Sequence, residues 1–336
     1  MQHASGQGDS NAIAADAMKA LALCYAGAVD DGVRLYKQVL KAEYDLRKYL
    51  NVALHLRFLE SLGLKDAAAA IRLDAITEGQ NICLKADLGK PPLEVVTEYR
   101  ELFAQGIANS AMVADYLIEV SKLGETAELY RFLDVNRFVR CVELSITDDH
   151  AGEEKFLEAV AASLLEERTE QNWWETAQSV RGMHYIDLNQ HGNKRMQLLL
   201  SEISRHVELY AAELRTNGRD VMPWIPQKYF IKPWALISSG YGYNVPHIHQ
   251  RGWITGVLYI AGPNEIGPDG YPVGALRIGA WKEIANPVGW PDMAIAPKPG
   301  TLVLFPSYFP HWTVPLGKPA LRISIAFDVV DLRSGG

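Results

Sequence analysis

After Asn217 the chain stops reading as a helical protein: Gly, Pro, Trp and β-branched residues rise together, and short apolar runs are cut apart by turn residues. The runs are YFIKPWALIS, WITGVLYIA, GALRIGA, TLVLFP, HWTVP and LRISIAFDVV, joined in part by GPNEIGPDGYPVG and NPVGWPDMAIAPKPG. Strands this short and this closely spaced leave no room for the helical crossovers that a parallel sheet needs, so they must pair antiparallel in a sandwich or barrel. A jelly roll over residues 226–331 is the natural expectation.

The first part has the opposite texture. From about residue 11 to 140, Ala and Leu dominate, apolar residues recur at three and four, and strand signals are nearly absent. Three stretches, LCYAGAVDDGVRLYKQVL, RFLESLGLKDAAAAIRLDAI and IEVSKLGETAELYRFLDV, each read as two helices around a turn glycine, namely Gly27, Gly63 and Gly124. The first interval, 36 residues, is near the roughly 34 of a tetratricopeptide repeat, but the second is 61, so the period breaks. The array resembles degenerate tetratricopeptide repeats. It offers either a concave surface for a partner or a cap that packs on its neighbour or pairs two copies as a homodimer.

Residues 151–215 are mixed: the amphipathic helices EEKFLEAVAASLLEE and NKRMQLLLSEISRHVELYAAEL flank WWETAQSVRGMHYIDLNQHGNK. The helices should brace a sheet, and His184 and Tyr185 between them read as part of a polar loop. The expected class is thus α+β, with a helical domain at 11–140 and a second domain at 141–336 that holds the bracing helices and the jelly roll.

Charge and cysteine content narrow the function classes. Residues 1–225 carry 24 Lys/Arg against 34 Asp/Glu, while residues 226–336 carry 9 against 6, and no basic run is interleaved with aromatics. Nucleic acid is therefore not an expected partner. No stretch approaches 18 consecutive apolar residues, and no basic region followed by an apolar one opens the chain, so neither membrane insertion nor secretion is expected. Cys24, Cys83 and Cys141 are far apart in apolar or helical contexts, with no CxxC pair. They read as reduced core residues of a cytoplasmic protein. The glycines of GPNEIGPDGYPVG precede no helix and so make no phosphate loop, and no Gly-x-Ser-x-Gly anchors hydrolase chemistry.

The histidines carry more. Of nine, six lie before residue 207, while His247 and His249 alternate by two in NVPHIHQRGW and His311 follows directly on TLVLFP. In an extended segment the first two rings share a face, as two ligands of one metal must. Eleven residues beyond His311 comes Arg322, on a strand where Arg322, Ser324 and Ala326 share a face.

In the order HIH, TGVLYI, PKPGTLVLFP, HWTVP, RISIAF, the segment resembles the 2-oxoglutarate and Fe(II)-dependent oxygenases, closest to a bacterial and phage group of them. The resemblance covers about residues 140–330 and leaves out the helical array. It implies a double-stranded β-helix (jelly-roll, cupin-like) fold holding Fe(II) through His247, His249 and His311, with 2-oxoglutarate and O2 at the open positions. Arg322 would anchor the distal carboxylate of 2-oxoglutarate, with the Ser324 hydroxyl beside it.

Tyr259 and Thr255, on WITGVLYIA, would either add hydrogen bonds to the co-substrate or serve as core. Asn244 would orient a ligand or cap the turn at NVP, and Trp253, Trp281, Trp290 and Trp312 would shape a substrate pocket or fill the sandwich. His249 departs from the commoner His-x-Asp/Glu pattern, which leaves the metal site one unit more positive. The implied activity is oxidation of a C–H bond, hydroxylation first, in a peptide, protein or small molecule. A three-histidine iron dioxygenase without 2-oxoglutarate and a non-catalytic metal-binding jelly roll share the same residues.

Overall fold

The computed structural model describes residues 5–42, 52–77, 90–146, 153–177, 179–189, 191–218, 220–222, 225–239, 242–267, 270–280, 287–316 and 320–332. Cys83 and Trp281 lie outside them.

The chain opens with helix pairs closed by left-handed glycines. Helix α1 (Ser5–Tyr25) turns into α2 (Val29–Leu40) at Gly27, and α3 (Val52–Ser61) into α4 (Lys65–Thr77) at Gly63. Helices α5 (Pro92–Ala104), α6 (Ser110–Leu123), α7 (Thr126–Leu133) and the short α8 (Val135–Phe138) follow. The turn glycines Gly27, Gly63 and Gly124 have φ of 87°, 77° and 73°, a region that a Cβ makes costly. A pair missed in the sequence, α5 with α6, turns at Gly106 with φ of 76°. Among the described residues no helix is long and apolar enough to cross a membrane.

All six expected strands form. The strands are β1 (Arg140–Glu143), β2 (Trp173–Ala177), β3 (Val180–Asp187), β4 (Tyr229–Ser238), β5 (Tyr243–Asn244), β6 (Gly252–Ala261), β7 (Leu276–Gly279), β8 (Asp292–Ile295), β9 (Thr301–Pro306), β10 (His311–Thr313) and β11 (Arg322–Asp331). One sheet runs β1-β9-β6-β11-β4-β3-β2, with β5 paired to β3, and a second runs β10-β7-β8. Every pairing is antiparallel.

Three expectations need correction. The polar loop holding His184 and Tyr185 is in fact the hairpin β2–β3, which extends the large sheet beyond β4. Its alternation was obscured because Arg181, His184 and Asp187 punctuate an otherwise apolar strand. The connector NPVGWPDMAIAPKPG contains β8, a strand of four residues between prolines. Cys24 is buried as expected, but Cys141 sits on the edge strand β1 and is exposed.

The larger helices explain how the sheet is covered. Helix α9 (Glu153–Glu166) buries Phe156, Val160 and Leu164, and α10 (Lys194–Asn217) buries Met196, Leu199, Ile203, Val207 and Leu214. Each set is a single stripe at helical spacing. The Asn193 side chain accepts from the main-chain nitrogens of Arg195 and Met196 and starts α10.

Strand β11 lies between β4 and β6 and is buried along nearly its whole length. Ile323, Ile325, Phe327 and Val329 belong to the apolar core, whereas Arg322, Ser324, Ala326 and Asp328 line a cavity on the other face. Phe327 pairs across to Gly256 on β6, and its ring occupies the place where a side chain would stand. Gly256→Ala would drive a methyl into that ring and should destabilise the protein by about 1–3 kcal/mol. Urea unfolding would show this as a lower midpoint at unchanged slope; an unshifted midpoint would contradict the packing.

Candidate metal centre and anion pocket

The segment carrying His247 and His249 is joined to the segment carrying His311 by main-chain bonds. His247 N–H donates to the His311 carbonyl and His311 N–H donates back to His247, both at 3.0 Å, and His249 N–H donates to Ser307 O at 3.0 Å. A reciprocal antiparallel pair sets its two side chains next to one another on one face. The ring centroids of His247 and His311 are accordingly 4.3 Å apart, with His249 at 5.0 and 4.9 Å from the two.

Each Nδ1 meets an acceptor. His247 Nδ1 lies 2.7 Å from Val245 O, His311 Nδ1 2.9 Å from Phe309 O, and His249 Nδ1 2.5 Å from Asp328 Oδ1. An Nδ1 held this way carries the proton and leaves Nε2 with its lone pair. The Nε2 atoms of His247 and His249 are 3.0 Å apart, and candidate ligand nitrogens of all three rings lie within 4.8 Å of one another. Among the described residues no other trio of His, Cys, Asp or Glu is so disposed. Burial, together with the neighbouring His249, pushes His247 down to about 3, and burial with both neighbours pushes His311 well below the ordinary imidazole value. Neutral imidazoles with convergent lone pairs fit a divalent transition metal such as Fe(II).

Arg322 stands apart electrostatically. It is 2 % exposed, and among the described residues no carboxylate pairs with it. Its guanidinium reaches only Gly274 O at 3.2 Å and Met183 Sδ at 3.3 Å. Burial lowers its pKa, opposed by the nearby Tyr259. A buried cation with neutral partners is costly, and an incoming carboxylate would relieve it.

His247, His249, His311, Arg322, Ser324, Tyr259, Thr255 and Asn244 all border one cavity of about 630 Å³. The local roles differ. Tyr259 is buried, and burial pushes its phenol up to about 12, so the hydroxyl stays protonated. Thr255 Oγ1 contacts Ser307 Oγ at 2.8 Å and donates to Asp328 Oδ1 at 3.0 Å. The Asn244 main-chain N–H donates to Thr313 Oγ1 at 2.8 Å, and its amide points to Ser179.

Of the tryptophans named in the sequence, Trp253, Trp290 and Trp312 do not line the cavity. Its aromatic wall comes instead from the missed hairpin and β4: Trp174 stacks on Tyr185 at 4.2 Å, and Trp234 stacks on His249 at 5.8 Å. Asp328 was missed as well. Continuing the alternation Arg322, Ser324, Ala326 by two residues reaches it.

A family profile described as "Putative 2OG-Fe(II) oxygenase" matches residues 232–328. No curated protein matches the chain significantly. Among solved structures, a Pseudomonas putida prolyl-4-hydroxylase is similar at 14 % identity and a TM-score of 0.41, over 61 % of this chain and 98 % of that one. A Trichoplax adhaerens prolyl hydroxylase in complex with a hypoxia inducible factor oxygen degradation domain peptide fragment gives 16 %, 0.40, 64 % and 94 % in the same order. A 2OG-Fe(II) oxygenase family oxidoreductase from Burkholderia pseudomallei gives 11 %, 0.38, 62 % and 90 %.

The depressed histidines make stability depend on pH. His247 and His311 stay neutral in the folded, metal-free chain well below the ordinary imidazole pKa of about 6.5, whereas the unfolded chain takes up protons there. The unfolded state then binds more protons, so stability falls as pH drops below about 6.5, by up to about 1.4 kcal/mol per pH unit for each ring. Urea unfolding of metal-free protein at two pH values on either side of that point checks it. Equal or greater stability on the acid side would contradict the neutral assignment.

Proposed function

We propose, from the premise that residues 232–328 belong to the 2OG-Fe(II) oxygenase family, that this chain is an Fe(II)- and 2-oxoglutarate-dependent dioxygenase that hydroxylates a C–H bond of a peptide or small-molecule substrate. The observation that carries the reading is the pairing, in one cavity, of three convergent imidazoles with a buried guanidinium that has no carboxylate partner among the described residues.

His247, His249 and His311 would hold the metal through Nε2, their tautomers set by Val245 O, Asp328 and Phe309 O. Arg322 would meet the distal carboxylate of 2-oxoglutarate as a charge-assisted pair, with Ser324 next to it on the same strand face. Tyr259, buried and protonated beside Arg322, would donate to the same anion. Bound Fe(II) and 2-oxoglutarate would together supply the activation of dioxygen for C–H oxidation.

The remaining lining excludes water and receives the substrate. Leu236, Leu276 and Phe305 are apolar and buried, and the Trp174, Tyr185 and Trp234 side chains offer flat faces along another part of the wall. As a further part of the proposal, residues 11–140 form a unit that contributes to substrate recognition, and residues 141–336 carry the chemistry.

Anaerobic calorimetry with the Mn(II)-loaded protein tests the core of this reading. The parent should bind one metal and then 2-oxoglutarate. Arg322→Ala should keep the metal yet weaken 2-oxoglutarate by about 2–5 kcal/mol, the usual cost of deleting one member of a desolvated charge pair. His311→Ala should lose the metal. Equal affinity in the Arg322 variant, or no 2-oxoglutarate binding by the parent, would remove the co-substrate and leave a three-histidine dioxygenase.

A further inference from the structure

Three neutral imidazoles bring no charge to a divalent cation, and the cavity already contains the Arg322 cation. Such a site is electrostatically unfavourable for a metal unless an anion stands nearby. Among the described residues that line the cavity, one carboxylate is present, Asp328, and it is 17 % exposed at the side chain.

Two other stretches of chain gather around it, one from His249 to Thr255 and one at Ser307. Asp328 Oδ1 lies 2.5 Å from His249 Nδ1 and accepts from Thr255 Oγ1 at 3.0 Å, while the Thr255 hydroxyl also meets Ser307 Oγ at 2.8 Å. Register fixes the second of these contacts, because Asp328 on β11 stands directly across from Thr255 on β6. Ser307 in turn accepts the His249 main-chain N–H at 3.0 Å. Gly252 leaves the space open: a Cβ there would stand 2.5 Å from Ser307 Oγ and 3.1 Å from Asp328 Oδ1.

A half-buried carboxylate is an expensive way to orient an imidazole, since a carbonyl does the same for His247 and His311. What the carboxylate adds is charge.

We infer that Asp328 is a positioning residue for the metal: it fixes the Nε2-ligating form of His249 and supplies, through that ring, the negative charge that a three-histidine set lacks. The assignment rests on the three-histidine reading above. A carboxylate on the distal ring nitrogen makes the ligating nitrogen more basic, and loss of such a partner typically weakens metal binding by about 10- to 100-fold. It also explains how His249 can stand beside two other imidazoles without a directly ligating acid.

The test is anaerobic titration with Co(II), whose visible absorption reports the ligand set, with affinity measured by competition against a chelator. Asp328→Ala should weaken Co(II) by about 10- to 100-fold. Asp328→Asn keeps an acceptor for His249 Nδ1–H but carries no charge, and it should lose most of the same affinity. Both metal-free variants should melt within about 3 °C of the parent, which separates a role toward the metal from a merely structural one. Should the Asp328 variants fail to fold, Thr255→Val removes one donor to the carboxylate at constant shape and should weaken Co(II) about two- to fivefold.

Parent-like affinity in Asp328→Asn would overturn the charge assignment, and so would parent-like affinity in Thr255→Val where that variant is the only one to fold. A parent protein that binds no Co(II), or one whose absorption survives His311→Ala unchanged, would overturn the three-histidine reading and this assignment with it.

Discussion

Strand β11 is buried on both faces, and a strand in that position has to divide its side chains between two environments. Because successive residues point to opposite faces, four aliphatic and aromatic side chains go to the core under α9 and α10 while Arg322, Ser324, Ala326 and Asp328 go to the cavity. The ladder to β4 holds this division in register over ten residues, and the ladder to β6 does so from Ser324 to Val329. A slip by one residue would bury Arg322 and Asp328 in hydrocarbon and turn Phe327 into the site. The position of the anion-pairing guanidinium and that of the carboxylate behind His249 are therefore fixed by one alternation.

Along that strand the charges are arranged with opposite purposes. Arg322, at one end, has neutral partners and a pKa lowered by burial, so it is poised to gain from an anion. Asp328, six residues away, is engaged by His249 and Thr255 and so is already stabilised by donors. The histidines between them each direct Nδ1 at an acceptor, and burial holds the pKa of His247 and His311 below the ordinary imidazole value. The site thus separates a buried cation at one end from a carboxylate-backed cluster of ring nitrogens at the other.

Much of this was legible in the sequence for a simple reason: the candidate site residues sit on or beside short strands with clean alternation. His247 and His249 two apart, His311 directly after an apolar run, and Arg322 with Ser324 two apart all follow from a period of two. Asp328 belongs to the same series and was passed over because the phenylalanine before it and the valines after it made the strand end look purely apolar. The hairpin β2–β3 was illegible for another reason. Its strands are punctuated by Glu175, Arg181, His184 and Asp187, with the polar Ser179 between them, so local pattern favoured a loop. Only pairing with β4 across roughly fifty residues of sequence makes Trp174 and Tyr185 part of a cavity wall, and a long-range pairing leaves no local signature.

The helical segment shows the same limit at a larger scale. Texture divides the chain near residue 140, but packing does not stop there: one apolar cluster runs from Ala17 on α1 to Val329 on β11. Some of the contacts across the division fall on the loops that carry the histidines, while others, such as Tyr210 to Phe138 O and Arg137 to Asp220, lie elsewhere. Ser110 at the start of α6 donates to Gly252 O at 2.6 Å, three residues after His249. The Tyr308 hydroxyl donates to Phe132 O at 2.9 Å, and Phe309 packs edge-on against Phe138 at 6.4 Å, both just before His311. Each of these loops is thus held on one side by the sheet and on the other by the segment from α6 to α8.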